Sequence, residues 1–377
     1  MVLLSGPNMG GNELKYVSEC IQTGWVSSVG AFVNKFEQMT AEFTGARFAV
    51  ATSSGTTALH ICLILANVKP DDYVLAPNIT FIATCNAIKY TGASPILIDI
   101  DPHDWQMDLN ILEEFLTHET EQKNGFCYHK KSGRRIPVIM PVHVLGNMCD
   151  MDRLMSLCAQ HNLMVIEDST EALGSRYKNK HAGTFGKMGT FSYNGNKIIT
   201  TGGGGMIITD DEALAKKAKH LTTQAKSDPF EYIHDAIGYN YRLVNTAAAM
   251  GVAQMEQLPG FLNRKEEINA FYKAKLEAVG DIRFQQVHPS VKPNGWLPTL
   301  YTTKQKELLK LLNENQLQSR PFWVPMNQLP MFTADLYISK EDVSGEIYRH
   351  CLSIPCSTNI SNEELERVAD TILSIFK

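Results

Sequence analysis

The sequence predicts an α/β fold: a large domain with a mostly parallel central sheet flanked by helices, and a smaller C-terminal α+β domain. Short apolar runs bounded by turn residues recur over residues 48–209, and helical patterns alternate with them. Near-continuous apolar strands that alternate with helices are typical of a parallel sheet covered on both faces. The pattern changes after residue 245. We therefore predict a large domain over residues 1–245 and a small domain over residues 246–377.

The individual elements follow from these patterns. Strands are predicted at 48–52, 72–77, 95–99, 136–140, 163–167, 189–193 and 205–209. Helices are predicted at 57–66, 109–116, 151–160, 246–258, 264–279 and 362–376. The polar stretch 117–135 carries several basic side chains, and we expect it to form a surface loop or hairpin.

Composition excludes several classes of protein. The chain has 377 residues, 44% of them hydrophobic, and a net charge of −5. No Lys/Arg run supports nucleic-acid binding, and no apolar run reaches the length of a membrane span. The N-terminal residues lack a signal-peptide pattern, so we expect a cytoplasmic protein. The eight cysteines show no C-x-x-C spacing, and with the histidines they form no ligand-spaced cluster, so we expect reduced thiols and no metal.

One lysine and one aspartate carry the strongest chemical signal. Lys197 is the only charged residue in the segment 190–205, which ends in four glycines, and Asp168 ends an apolar strand. Each has an ordinary alternative, a solvated loop lysine and a helix N-cap. Together they are the groups that pyridoxal 5'-phosphate (PLP) requires: a lysine that forms a Schiff base with the aldehyde and an acid that keeps the ring nitrogen protonated.

A phosphate site is predicted between the strand at 48–52 and the helix that follows it. Gly55 allows the backbone to approach a ligand closely, and Thr56 offers both N–H and O–H donors at a helix start. A plain N-cap is the competing interpretation of this segment. The glycines at 202–205 do not form a dinucleotide loop, because a strand-like run rather than a helix follows them.

The chain resembles the DegT/DnrJ/EryC1/StrS aminotransferases, which are fold-type I PLP enzymes. The resemblance covers nearly the whole length and rests on segments 24–28, 53–59, 77–84, 141–146, 167–168 and 238–242, on Lys197, and on segment 353–356. It implies transamination, because related dehydratases carry histidine at the lysine position. It also implies that PLP alternates with pyridoxamine phosphate.

The resemblance implies further cofactor contacts. Ser192 matches a second phosphate ligand, and Phe81 matches an aromatic residue that packs on the cofactor ring. Glu171 stands where many relatives carry glutamine or histidine near the ring hydroxyl; an ordinary first-turn glutamate is the alternative. Asn240 matches a residue delivered by the neighbouring subunit, which implies a homodimer with shared active sites.

Substrate contacts are also implied by the resemblance. Trp25 and Ser27 match a loop at the mouth of the site, and Arg320 belongs to a small-domain segment that faces it. Arg242 suits a carboxylate or a phosphate, because its guanidinium binds planar anions through two hydrogen bonds. The expected substrates are L-glutamate and a nucleotide-linked 4-keto-6-deoxy sugar.

Segment 194–205 is most similar to relatives that act on UDP-N-acetyl sugars in bacillosamine- or legionaminate-type routes, so UDP-2-acetamido-2,6-dideoxy-4-keto-hexose is the expected acceptor. GDP-perosamine formation and amination of a 3-keto sugar are the alternatives within the enzyme class. A PLP-binding regulatory protein without turnover is the alternative from another class, and the presence of both Lys197 and Asp168 argues against it.

Overall fold

The computed structural model describes residues 1–228 and 230–376. Its α-helices are α1 Glu13–Thr23, α2 Ala31–Thr44, α3 Gly55–Leu65, α4 Ala83–Tyr90, α5 Leu109–His118, α6 Met151–Gln160, α7 Glu212–Thr222, α8 Asn245–Leu276, α9 Gln305–Glu314, α10 Val343–His350 and α11 Asn362–Leu373. Its strands are β1 Phe48–Thr52, β2 Tyr73–Pro77, β3 Ser94–Ile98, β4 Thr120–Lys123, β5 Phe126–His129, β6 Arg135–Ile136, β7 Val138–Ile139, β8 Met164–Asp168, β9 Arg176–Tyr177, β10 Lys180–His181, β11 Met188–Ser192, β12 Gly205–Thr209, β13 Arg283–Phe284, β14 Val291–Lys292, β15 Thr299–Tyr301, β16 Arg320–Pro321, β17 Leu336–Ile338 and β18 Cys351–Ser353.

An eight-stranded sheet forms the centre of the molecule, in the order β1-β12-β11-β8-β7-β2-β3-β17. The neighbours from β11 to β17 pair in parallel, whereas β12 runs antiparallel to both β1 and β11. Apolar clusters cover both faces of this sheet, so strands such as β2 and β12 are buried along their whole length. The predicted α/β class with a mostly parallel sheet is confirmed.

The predicted strand at 136–140 divides into two. Residues 135–136 pair with β5 in the small antiparallel sheet β4-β5-β6, and residues 138–139 join the central sheet. Pro137 separates them, and a proline cannot donate a ladder hydrogen bond. The polar stretch 117–135 accordingly forms a hairpin, as the sequence predicts, and the chain passes from it directly into β7.

The prediction of two helices at 246–258 and 264–279 is wrong: one helix, α8, runs through Pro259. A proline inside a helix costs about 3 kcal/mol, because a hydrogen bond is lost and the ring clashes with the preceding turn. Pro259 itself is exposed, but Leu258 and Phe261 beside it are buried in the main core. Burying each such side chain contributes about 1.5–3 kcal/mol, which is enough to offset the proline.

The C-terminal part carries a four-stranded antiparallel sheet, β13-β15-β18-β16. The division at residue 245 stays a prediction, because residues on each side of it pair with the other part. Strand β17 pairs with β3 of the central sheet, and the backbone of Val2 pairs with Leu317. Helix α8 packs against α1, α2 and α11. The two parts therefore share elements at their boundary.

Two further features bear on the sequence expectations. All eight cysteines are buried and unbridged. Over residues 1–228 and 230–376, no helix combines the length and apolarity needed to cross a membrane.

Candidate active site

A cleft of about 440 Å³ opens where the carboxyl ends of central strands meet the C-terminal part. Strand β8 ends at Asp168, β11 ends at Ser192, and α3 begins at Gly55 after β1. In parallel sheets this edge is where ligands bind. The cleft is lined by Leu4, Ser54, Gly55, Thr56, Phe81, Ala83, Thr170, Glu171, Ser192, Asn194, Asn196, Lys197, Gly203, Gly204, Trp296, Leu297, Arg320, Pro321, Phe322, Trp323 and Ser353.

Lys197 lies in the turn that follows β11, and its side chain is only 12% exposed. Its Nζ lies 3.8 Å from Glu171 Oε1 and 3.8 Å from the centre of the Trp296 ring. Burial lowers the pKa of Lys197, while the charges of Glu171 and Asp168 act in the opposite direction. A lysine must be neutral to attack a carbonyl, so this environment favours the reactive form.

Glu171 is buried beside Lys197, and its pKa is raised to about 7 by burial, against the opposing effect of Lys197. The backbone N–H of Leu145 donates to Glu171 Oε2 at 2.8 Å. Leu145 adopts a left-handed backbone conformation with φ of 60°, which is uncommon for a non-glycine residue. The turn at Leu145 therefore fixes one carboxyl oxygen, and the other faces Lys197.

The carboxylate of Asp168 is held by hydroxyl donors. Thr84 Oγ1 donates to Oδ2 at 2.7 Å, and Thr170 Oγ1 donates to Oδ1 at 2.7 Å. No ion pair within 4.0 Å engages this carboxylate in the described part of the chain. A fixed, buried carboxylate without a cationic partner is the group that a protonated pyridine nitrogen requires.

At the start of α3, which we call the phosphate cradle, the backbone of Gly55 lies close to the side chains of Ser192 and Thr170. A Cβ at Gly55 would lie 2.9 Å from Ser192 Cβ and 3.0 Å from Thr170 Cγ2. Ser54 caps the helix by accepting from the N–H of Thr57 at 3.1 Å. Helix starts with free N–H groups and nearby hydroxyls bind phosphate. The start of α3 therefore offers N–H and hydroxyl donors that suit a phosphate group, and its role in binding the phosphate of PLP stays a prediction.

The remaining predicted residues fall into two groups. Phe81 and Arg320 line the cleft, and the Phe81 side chain is 53% exposed there. Asn240, Trp25 and Ser27 do not line it: Asn240 is exposed on the surface, and Trp25 borders a separate depression beside α1 and α2. The cleft lining thus includes the predicted cofactor residues Gly55, Thr56, Phe81, Glu171, Ser192 and Lys197, and Asp168 is hydrogen-bonded to the lining residue Thr170. Asn240, Trp25 and Ser27 lie elsewhere.

Arg242 also lies outside the cleft lining, although its backbone pairs with the segment that leads into α3. Its backbone bridges to Thr52, and the carbonyl of Tyr241 accepts from the N–H of Ser53 at 2.7 Å. The Nε of Arg242 is buried without a hydrogen-bond partner among the described residues. A buried donor without a partner is costly, so Arg242 retains capacity to bind an anion.

The cleft has an aromatic wall, of which the sequence interpretation missed Trp296; Phe322 and Trp323 lie in the segment after Arg320 that was expected to face the site. Trp296 lies over Lys197, Trp323 stacks at 6.4 Å from Trp296, and Phe322 stacks at 5.0 Å from Trp323. No local signal links a tryptophan to a lysine 99 positions earlier. His143 is buried, pairs with Glu167 at 2.8 Å and does not line the cleft.

A buried lysine, a fixed carboxylate and a phosphate cradle on one edge of a parallel sheet define a PLP enzyme. The chain matches the DegT/DnrJ/EryC1/StrS aminotransferase family over residues 7–373. It is 37% identical over 381 residues to EpsN of Bacillus subtilis (strain 168), described as a pyridoxal phosphate-dependent aminotransferase, covering 100% of this chain and 96% of EpsN. It is 37% identical over 372 residues to GDP-perosamine synthase of Escherichia coli O157:H7, covering 97% and 96%.

A solved structure extends the comparison. PseC of Helicobacter pylori, an aminotransferase involved in the biosynthesis of pseudoaminic acid, matches with a TM-score of 0.88 at 25% identity, covering 100% of this chain and 99% of PseC. The chain therefore belongs to the DegT/DnrJ/EryC1/StrS aminotransferase family. The predicted class, a PLP-dependent sugar aminotransferase, is confirmed.

Proposed function

We propose that this enzyme moves an amino group from L-glutamate to a nucleotide-linked 4-keto-6-deoxy sugar during surface-polysaccharide or glycan precursor biosynthesis. The observation that carries the proposal is Lys197, mostly buried between Glu171 and Trp296 in a cleft of about 440 Å³. That volume lies within the range of small-molecule and cofactor pockets. UDP-2-acetamido-2,6-dideoxy-4-keto-hexose is the acceptor that we propose first.

The residues would divide the work as follows. PLP, when bound, supplies the electron sink for the reaction. Lys197 would hold the cofactor through its ε-amino group, and as a free amine it would accept and donate a proton. Asp168 keeps the ring nitrogen protonated, and Gly55, Thr56 and Ser192 hold the phosphate. This assignment is supported by the short contacts of Asp168 and by the close approach of Ser192 and Thr170 to Gly55 at the start of α3.

Substrate binding would use the outer part of the cleft. Arg320 lies in the lining and is exposed, so its guanidinium is accessible to a carboxylate or a phosphate. Gly203 and Gly204 line the same cleft without side chains, which leaves room for a bulky sugar. Phe81 is placed to pack on the cofactor ring, because its exposed face borders the cleft.

We further propose a homodimer in which each subunit completes the site of its partner. Trp25, Ser27, Asn240 and Arg242 do not line the cleft of their own chain. Large apolar side chains at 230, 232 and 237 are 84–91% exposed close to Asn240. Exposed apolar clusters mark interaction surfaces. A second copy of the chain would cover this segment and receive Asn240.

GDP-4-keto-6-deoxymannose is the second candidate acceptor. Three relatives are named GDP-perosamine synthase. Each is 31–37% identical to this chain, and the match covers at least 96% of the relative's length. Their names favour the GDP-linked sugar, whereas segment 194–205 favours the UDP-linked sugar. The two candidates differ in the nucleotide and in the substituent at carbon 2 of the sugar.

A two-stage experiment tests the proposal. First, the absorbance spectrum of the PLP-loaded protein is recorded before and after addition of L-glutamate. We expect the yellow absorbance band of the bound PLP to bleach. Second, the loaded protein and L-glutamate are incubated with each keto sugar, and product masses are measured. Turnover of the GDP sugar alone would replace the UDP assignment. A band that ignores glutamate would reject this amino donor.

A further inference from the structure

Trp296 is held at all three of its polar groups. Its indole Nε1 donates to the carbonyl of Asn196 at 2.7 Å, and its backbone N–H donates to Asn294 Oδ1 at 3.0 Å. Its carbonyl accepts from Lys265 Nζ at 2.8 Å. The side chain is buried. A ring fixed at three points can keep one position relative to its neighbours, as a preorganised site requires.

The third contact comes from an unusual residue. Lys265 lies in the middle of α8 with 1% of its surface exposed, and it takes part in no ion pair within the described ranges. Its ammonium instead donates to the carbonyls of Trp296 and Cys356 at 2.8 and 2.7 Å, and contacts Cys356 Sγ at 3.2 Å. Burying an unpaired cation is costly. Hydrogen bonds from charged donors to carbonyls are stronger than neutral ones and partly offset that cost.

These contacts connect Lys265 to the catalytic lysine. The Trp296 ring lies 3.8 Å from Lys197 Nζ, and Asn196, which accepts from the indole, immediately precedes Lys197 in the chain. Asn294 also donates to the carbonyl of Glu171 at 2.8 Å. A cation over a tryptophan face is stabilised by the ring quadrupole. The position of Trp296 therefore affects both partners of the pair at the centre of the site.

We propose that Lys265 is a positioning residue for the catalytic centre: it fixes Trp296 from the core side, so that the indole face supports the Lys197 ammonium whenever that lysine is free. The inference rests on the PLP chemistry of the family and does not depend on which sugar is bound. Lys265 contacts neither the cleft nor Lys197, and it acts through Trp296.

The test uses the cofactor-free full chain. PLP capture at Lys197 is followed as a function of pH, trapped by borohydride and localised by mass spectrometry. Lys265→Met removes the ammonium at similar length, and Lys265→Gln keeps one donor if the methionine variant does not fold. Trp296→Leu removes the ring. Tyr272→Phe is the matched control, because Tyr272 is buried in the same helix and donates to the adjacent carbonyl of Pro355 at 2.7 Å.

We expect Trp296→Leu to move the midpoint of capture to lower pH by about half a unit to one unit, because the ammonium loses its ring support. Lys265→Met, or Lys265→Gln in its place, should move it in the same direction, and the double variant should move it no further than Trp296→Leu. Tyr272→Phe should match the wild type. Loss of a distant positive charge alone would move the midpoint to higher pH.

The outcomes separate cleanly. A midpoint that is unchanged or higher in the Lys265 variants overturns the proposal, as do shifts that simply add in the double variant. An unchanged midpoint in Trp296→Leu overturns it as well, since the ring would then have no effect on Lys197. None of these results depends on the glutamate or sugar substrates, so failure of the proposed function would be recognised separately.

Discussion

At the scale of single residues, Lys197 and Glu171 behave as one unit. Burial disfavours the charge of each residue, and each charge favours the other across 3.8 Å. A glutamate with a pKa of about 7 changes protonation in the physiological range, unlike an exposed carboxylate. The pair can therefore adjust the reactivity of the lysine with pH, which a glutamine at the same position could not do.

Replacement of Lys197 tests the catalytic assignment. Lys197→Ala should abolish covalent PLP capture and lower turnover by at least about 10³-fold, because both the anchor and the proton carrier are lost. Activity and reduced-cofactor labelling measure the effect. Lys187→Ala is the control, since Lys187 pairs with Asp211 at 2.7 Å on the surface. Activity within a few-fold of wild type in Lys197→Ala would reject the assignment.

Replacement of Glu171 tests the pH effect. Above about pH 7 the Glu171 carboxylate is charged and stabilises the Lys197 ammonium, so the lysine keeps its proton to higher pH. Glu171→Gln removes that charge, and the acid limb of the glutamate half-reaction should move to lower pH. The pH profile of cofactor bleaching measures this. Glu114→Gln is the surface control; an identical profile in Glu171→Gln would contradict the coupling.

At the scale of elements, the start of α3 depends on one missing side chain. Ser54 and Thr57 form a reciprocal cap, in which Thr57 Oγ1 also accepts from the N–H of Ser54 at 3.0 Å. The cap satisfies the helix end without using the N–H groups next to Gly55. Those groups stay free for a phosphate, and the missing Cβ of Gly55 lets the side chains of Ser192 and Thr170 lie close to them.

Adding a side chain at Gly55 should weaken cofactor binding. Gly55→Ala places a Cβ within 3.0 Å of Ser192 and Thr170 side chains, so we expect at least a ~10-fold loss of PLP affinity from the lost phosphate contacts. Titration of the apoprotein with PLP measures it. Gly260→Ala is the matched control: no atom lies within 4 Å of its added Cβ, and alanine in a helix should add about 0.5–1 kcal/mol of stability. Equal PLP affinity in both variants would exclude the cradle.

Local patterns predicted seven of the eight strands of the central sheet and the centre of the site, but fewer than half of all helices and strands. The strands were found because each is a short apolar run, and Asp168, Gly55 and Lys197 stand out at strand ends. The continuous helix through Pro259 was missed, because its stability comes from tertiary burial of Leu258 and Phe261. Trp296 was missed for a related reason: nothing in its neighbourhood records that folding brings it over Lys197.

At the scale of the whole molecule, the most exposed apolar side chains cluster in one segment. Phe230, Tyr232 and Ile237 are 91%, 88% and 84% exposed, and the segment leads directly to Asn240. Leaving such side chains in water is unfavourable, at about 25 cal/mol per Å² of apolar surface. Their position beside predicted partner-site residues supports the proposed dimer with shared sites.

A charge in this segment should separate the subunits. Ile237→Asp buries an unpaired carboxylate in the proposed interface, so we expect the dimer to weaken by at least about tenfold. PLP affinity should fall with it, because Asn240 no longer reaches the partner's site. Sedimentation analysis and PLP titration measure the two effects. Met331→Asp, at another exposed apolar position, is the control; a stable dimer in Ile237→Asp would place the interface elsewhere.

The pairing of β17 with β3 has a consequence for synthesis of the protein. Residues 94–98 leave the ribosome long before residues 336–338, the strand that borders them in the finished sheet. Until then β3 is an unpaired edge strand, and its residues, which are mostly apolar and buried in the folded protein, are exposed. Such edges pair with strands of other chains. The nascent chain must therefore keep this edge protected through the translation of more than 200 further residues. We therefore expect synthesis of the protein to require chaperones, and a chain that stops before residue 336 to aggregate through β3.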